Sequence, residues 1–243
     1  MGTLELLETI RNNSSKNIKF FQACGNEIFG DCCNEEEPIH PQTESTVPNP
    51  KSPHGVSRLC SYWLVKTYRK AHGMFAANGI MFDHESPRKN IESSIVRKVC
   101  RGVVDIHDEF KRFITIGDLD TIRDWGHARD YAEAMWKTLQ RDVPDDYVIC
   151  TGVPRRTRDL IEKAFEYVDV FITWKGKGFE EVGIDQHGDM RVKVDLECLD
   201  ERKMNHSLGS FDKIRKELGW SPLIDFDSLV DEIMAVEMMI NEE

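Results

Sequence analysis

Long apolar runs are missing from this chain. Nothing in its 243 residues approaches the roughly 20 consecutive apolar residues that cross a bilayer, so no transmembrane segment and no membrane partner are expected. Positive charge is scarce: Lys and Arg number 32 against 43 Asp and Glu, a formal net charge of −11. A surface of that sign repels a phosphate backbone, which excludes nucleic acid as a partner. Cysteine is sparse, odd in number and scattered, at seven. Cys24, Cys32 and Cys33 lie near His40 and His54, but the two-residue gap usual between zinc ligands does not occur, and no metal site is expected. Met1 to Leu6 has no basic segment ahead of an apolar run, and Leu6 stands where an N-myristoylation signal needs Ser or Thr. Reduced thiols and a cytoplasmic protein are the expectation, and the sequons at Asn12, Asn13 and Asn205 are then chance. A Gly-x-Gly-x-x-Gly phosphate-binding turn is also absent.

What is present fits a globular chain of one or two domains, with 40% hydrophobic and 31% charged residues. Leu4 to Ile10 has apolar residues at helical spacing, and Asn17 to Ala23 reads as a short strand. Residues 31–53 are acidic and carry five prolines, the mark of a loop, with Glu35-Glu36-Glu37 as a solvated run. A helix is predicted from about Gly55 to Ala71, with Val56, Leu59, Trp63, Leu64 and Tyr68 on one stripe and Gly73 ending it. Strands are predicted at Met74 to Phe82, Phe113 to Ile116, Tyr147 to Cys150, Val168 to Trp174 and Arg191 to Val194. Helices are predicted at Glu92 to Ile106, Ala128 to Leu139, Arg156 to Phe165, Phe211 to Leu218 and Phe226 to Met239. Tyr131, Met135 and Trp136 are expected to point inward, and Trp63, Trp125 and Trp136 to be core residues. Alternation of strand and helix gives an α/β fold with a largely parallel sheet.

Four segments narrow the choice. They are Ser52-Pro53-His54-Gly55-Val56-Ser57-Arg58 with Ser61-Tyr62-Trp63-Leu64-Val65-Lys66 after it, and Asn78 to Arg88 with its His84-Glu85-Ser86-Pro87 core. Gln22 to Gly30 and Arg123 to Trp136 complete the set. In their order they resemble the GDP-mannose 4,6-dehydratase family, of the extended short-chain dehydrogenase/reductase type. Val194-Asp195-Leu196 and Leu218-Gly219-Trp220-Ser221-Pro222 match as well. The resemblance runs over nearly all of the chain but only about the last two-thirds of a family member. It implies an incomplete Rossmann-like doubly wound sheet lacking its N-terminal strands. Residues 1–82 would be the remnant of the NADP-binding domain, and residues 83–243 mainly a nucleotide-sugar domain with some strands returning to the first. Exposed sheet edges in such a remnant lead us to expect aggregation or oligomerisation.

The family reaction turns GDP-mannose into GDP-4-keto-6-deoxymannose, with NADP taking a hydride from C4 and returning it at C6. A Tyr removes the first proton, helped by a Lys one helical turn away; a Glu removes the C5 proton; a Thr two residues before that Glu donates a hydrogen bond to the sugar. In this chain Glu27 matches the Glu, but Gly25 stands at the Thr position, His54 at the Tyr and Arg58 at the Lys. An imidazole can serve as a base near neutral pH, but its nitrogen reaches a different point from a phenol oxygen. A guanidinium is wider and planar. The resemblance further places His84 and Lys89 toward the cofactor, Lys89 replacing an Arg. It places Asp83 (for Asn), Arg123, Asp200 and Lys203 toward the nucleotide sugar; the last two reverse the charges of the family's Arg and Glu. Plainer roles stand beside these: a solvated loop carboxylate for Glu27, a loop histidine for His84, and an ion pair with Asp120 or Asp124 for Arg123. Family oligomers form partly through the Tyr/Lys helix, so a homo-oligomer, or a hetero-oligomer with a complete dehydratase, is the expected assembly. The functional expectation is a family member with impaired catalysis. The alternatives are a non-catalytic relative that binds a partner or a nucleotide sugar, and a gene fragment.

Overall fold

The computed structural model describes residues 2–13, 17–32, 39–198 and 206–241. Along the chain the helices are α1 (Gly2–Asn12), α2 (Pro53–His72), α3 (Ile95–His107), α4 (Ala128–Gln140), α5 (Thr157–Glu166), α6 (Asp212–Leu218) and α7 (Phe226–Asn241). The strands are β1 (Phe20–Gly25), β2 (Ala76–Met81), β3 (Asp83–Glu85), β4 (Ile114–Ile116), β5 (Ile122–Arg123) and β6 (Trp125–His127). They continue with β7 (Asp146–Ile149), β8 (Arg155–Arg156), β9 (Thr173–Lys175), β10 (Val182–Ile184) and β11 (Met190–Val194). Two compact units result. The first comprises residues 1–84, 124–154 and 202–223, the second 85–123, 155–201 and 224–243. Among the described residues no helix is long and apolar enough to cross a membrane.

The first unit is built on a parallel sheet in the order β1-β2-β7. Side chains alternate across a strand, so each strand feeds two cores. Cys24, Ile80, Val148 and Cys150 face one side with Tyr62 of α2 and the loop residues Ile28 and Phe29. Met81, Tyr147 and Ile149 face the other, where Tyr131 and Ala134 of α4 join Ile214 and Trp220. Both faces are therefore covered, as parallel strands require, and β2 is buried along its whole length. Leu7 of α1 packs with Val65 of α2 and Ala76, which docks α1 onto α2.

The predicted stripe of α2 needs correction. The buried positions are Gly55, Tyr62 and Val65, whereas Val56 is exposed and Trp63 keeps 52% of its surface. Gly73, at φ 63°, ends the helix as expected. Of the three tryptophans expected in the core only Trp125 is buried; Trp136 is 61% exposed. On α4 the buried face is Asp130, Tyr131, Ala134 and Thr138, and Trp136 falls outside it.

In the second unit β11 pairs parallel with β4 and antiparallel with β10, which carries β9, while β5 and β8 form a small antiparallel pair. Helices α3, α5 and α7 pack together. Glu237, buried on α7, receives Arg97 of α3 and lies 3.6 Å from Arg101 Nη1. The strand predicted at Val168 to Trp174 shrinks to Thr173–Lys175, because Asp169 takes φ 58° and breaks the extended backbone. The helix predicted from Glu92 begins at Ile95, where Ser94 caps it by accepting from Arg97 N–H; a 3₁₀ turn, Ile91–Ser93, precedes it. The run Glu35-Glu36-Glu37 lies outside the described residues.

Candidate functional site

Ligands of parallel α/β sheets collect at the carboxyl ends of the strands. In the first unit β1 ends there at Gly25, and a 3₁₀ turn, Asn26–Ile28, carries Glu27. Helix α2 starts beside it. Ser52 Oγ accepts from Gly55 N–H at 3.0 Å and Pro53 occupies the first helical position, a strong start signal. Gly55 lies so close that a Cβ on it would stand 2.7 Å from the Glu27 carbonyl oxygen. This start fixes His54 on the first turn of α2 and Arg58 one turn further on.

Gly25, Glu27, His54 and Arg58 are thus brought together. Their geometry is inward-turned. His54 Nδ1 lies 3.7 Å from Glu27 Oε1. Arg58 Nε donates to His54 Nε2 at 3.4 Å, a long and weak bond, and Arg58 Nη1 donates to the Ala23 carbonyl at 3.1 Å. A donor on Nε2 puts the neutral ring's lone pair on that atom and its proton on Nδ1, facing Glu27. The other carboxylate oxygen, Glu27 Oε2, is buried with no hydrogen-bond partner. Beneath the group, burial pushes the Cys24 thiol up to about 12, so it is no nucleophile.

The remaining described candidates lie on β3, in the segment after it and on β5. In the first unit, Asp83 opens β3, and His84 sets Nδ1 2.9 Å from the Phe82 carbonyl with its ring 5.0 Å from that of Tyr131. In the second unit Lys89 donates to Glu85 Oε1 at 2.8 Å, and buried Glu85 also accepts from Ser94 Oγ at 2.6 Å. Arg123 is on β5, opposite Arg155. Of the two acids proposed for it, Asp124 is buried and accepts from Thr151 N, Thr151 Oγ1, Gly152 N and Gly209 N; Asp120 lies against Arg156 and Arg158. Asp200 and Lys203 lie outside the described residues.

One chemistry-bearing pair is missing from the sequence reading. Tyr62 and Lys66 repeat the Tyr-x-x-x-Lys spacing two turns along α2, and Lys66 Nζ donates to Tyr62 Oη at 3.1 Å. The spacing alone could have flagged it. The setting argues against a base: Lys66 also lies 3.3 Å from Asp146 Oδ2, at the amino end of β7. Burial pushes the Tyr62 phenol above its ordinary range, and the Asp146 charge adds to that against the pull of Lys66. Arg69 and Asn78 close this cluster around Asp146.

The GDP-mannose 4,6 dehydratase family model matches residues 1–233. The chain is 40% identical over 240 residues to GDP-mannose 4,6 dehydratase of Drosophila melanogaster and 39% identical over 240 residues to that of Homo sapiens. Each alignment covers 98% of this chain but only 59% and 63% of those two relatives, so the chain spans about three-fifths of their length. Among solved structures, RMD from Pseudomonas aeruginosa complexed with NADPH superposes with a TM-score of 0.78 at 20% identity, covering 98% of this chain and 72% of that one. The Thermus thermophilus UDP-glucose 4-epimerase complex with NAD gives 0.76 at 20% identity, covering 97% and 68%. These two likenesses establish the fold, a Rossmann-type α/β scaffold. Sequence identity sustained end to end adds the lineage: the chain belongs to the GDP-mannose 4,6-dehydratase family.

Proposed function

We propose that this chain is a catalytically impaired member of its family, unable to carry GDP-mannose through the family's dehydration at a useful rate. One observation carries this: at the position of the family's first base stands His54, an imidazole whose ring nitrogens lie 3.4 Å from Arg58 Nε and 3.7 Å from Glu27 Oε1. A base must reach the proton it removes within about 3 Å, and misplacement by an ångström costs orders of magnitude in rate. Arg58 turns Nε toward His54 and Nη1 to the Ala23 carbonyl. The residues present do not fit a nicotinamide dinucleotide. The cation that would meet its ribose, Arg58, is bonded to the chain's own backbone and faces an imidazole where the family has a phenol. No hydride-transfer step follows from them. Glu27 is retained, but its carboxylate faces His54 and the strand end, and affinity for GDP-mannose is weak or lost. The test is direct. Purified chain with NADP⁺ and GDP-mannose yields no 4-keto sugar above background, and turnover well above background overturns the proposal.

A second reading is favoured by α2. Val56, Cys60 and Trp63 are exposed and recur at helical spacing, an apolar stripe on a polar helix. Such a stripe suits docking onto another subunit, either a second copy or a complete dehydratase. Co-elution of the chain with an active dehydratase, lost on Trp63→Lys, supports this reading; separate elution of the two natural proteins counts against it.

A further inference from the structure

Gly25 holds an ordinary extended conformation, φ −91° and ψ 157°, which any residue adopts. Backbone freedom is therefore not why glycine suits this place. Space is. A Cβ built on Gly25 would lie 1.7 Å from Glu27 Oε2, 2.8 Å from Glu27 Cδ and 3.2 Å from Glu27 Oε1. All three atoms belong to one carboxylate, which fills the notch that the missing side chain leaves. The main chain of Glu27 cannot retreat. Its carbonyl abuts the first turn of α2, the next carbonyl, that of Ile28, accepts from Asn49 N at 3.0 Å, and Phe29 N donates to Asn26 O at 2.9 Å. Only the side chain is free to choose between the notch and the open side.

We propose that Gly25 is a positioning residue: its empty side seats the Glu27 carboxylate back over the end of β1, beside His54 and away from any ligand, and a side chain at 25 turns it outward. The seat is a self-made contact that keeps the one retained acid–base group of the family out of use. The inference rests on reading Glu27 as that group, but the seat itself is a matter of geometry and is tested without turnover.

The test is a coupling measurement by NMR on the full chain. Glu27→Gln removes the charge beside His54 and shifts its ring Cε1–H resonance. In the Gly25→Ala background the carboxylate no longer lies beside His54, and most of that shift is lost. An equal shift in both backgrounds overturns the proposal. Should Gly25→Ala fail to fold, Gly25→Ala with Glu27→Ala decides: a steric seat predicts that removing the carboxylate restores folding, and continued failure overturns it. Failure here leaves the impaired-catalysis proposal standing on His54 and Arg58. Turnover by the natural chain sinks that proposal and the claim that the seat keeps Glu27 out of use; the steric contact itself is decided by the coupling measurement.

Discussion

At the scale of single residues, polar groups caught without partners are where this chain departs most from a well-satisfied interior. Ser207 is fully buried, and its hydroxyl has no hydrogen-bond partner. A buried polar group left unpaired costs about 1–3 kcal/mol. Ser207→Ala removes the unpaired group and almost no volume, so it should stabilise the chain by about 1 kcal/mol, read as a higher urea midpoint with unchanged slope. Asp145 shows the opposite condition. Burial works against its charge, but the Lys213 ammonium at 2.6 Å, the Asp146 N–H and the nearby Arg69 outweigh burial and hold its pKa below the ordinary carboxylate range. A folded pKa below the unfolded one contributes stability above the unfolded value, about 3.9, and loses it as pH falls through the folded value. Lys213→Met should therefore cost stability at pH 7, and the gap from the natural chain should narrow steadily below about pH 4. A gap that stays constant into acid, measured by urea unfolding at each pH, rules the pairing out as its cause.

Single elements were the most readable scale. Helix α2 is announced by Ser52 and Pro53 and closed by Gly73, and each does what its chemistry predicts. The three strands of the first unit's sheet, β1, β2 and β7, are short apolar runs bounded by turns, so their existence and order along the chain are legible, with ends shifting by one to three residues. Two misreadings have physical causes. Trp136 is inferred to be core from its size, yet helical phase sets it apart from Tyr131, Ala134 and Thr138. Val168 to Trp174 has strand-like composition, but one residue at positive φ, Asp169, outweighs several with β propensity. The cap of α2 matters beyond stability because the helix start places His54 and Arg58. Ser52→Ala removes the acceptor for Gly55 N–H and should cost about 1 kcal/mol. Amide exchange should quicken in the first turn of α2 while Val65 and the last turn keep their protection. Uniform loss of protection along α2 would mean that the cap does not act locally.

For the whole molecule, the lineage was legible because the matching segments keep their order from Gln22 to Pro222. The four positions Gly25, Glu27, His54 and Arg58 are among those named from the same segments. What no spacing reveals is how their side chains settle: that Arg58 turns to the Ala23 carbonyl, or that Glu27 fills the space over Gly25. Those outcomes depend on which neighbour offers a partner at short range, and they bear on the cofactor. A dinucleotide carrying several negative charges approaches a chain of net charge −11, and Arg58, the cation placed by the family motif, already bonds the Ala23 carbonyl. Binding to the folded state raises stability by RT ln(1 + [L]/Kd), about 2.7 kcal/mol at a hundredfold excess over Kd. For a chain of this size each kcal/mol moves the melting temperature by about 2–4 °C. A functional NADP⁺ site of micromolar affinity should thus raise Tm by roughly 5–10 °C at sub-millimolar cofactor. We expect no shift at low ionic strength and none at 150 mM salt. A saturable rise of several degrees at either would show that the dinucleotide finds a seat despite the pairing of Arg58, and the impaired reading would lose its electrostatic half.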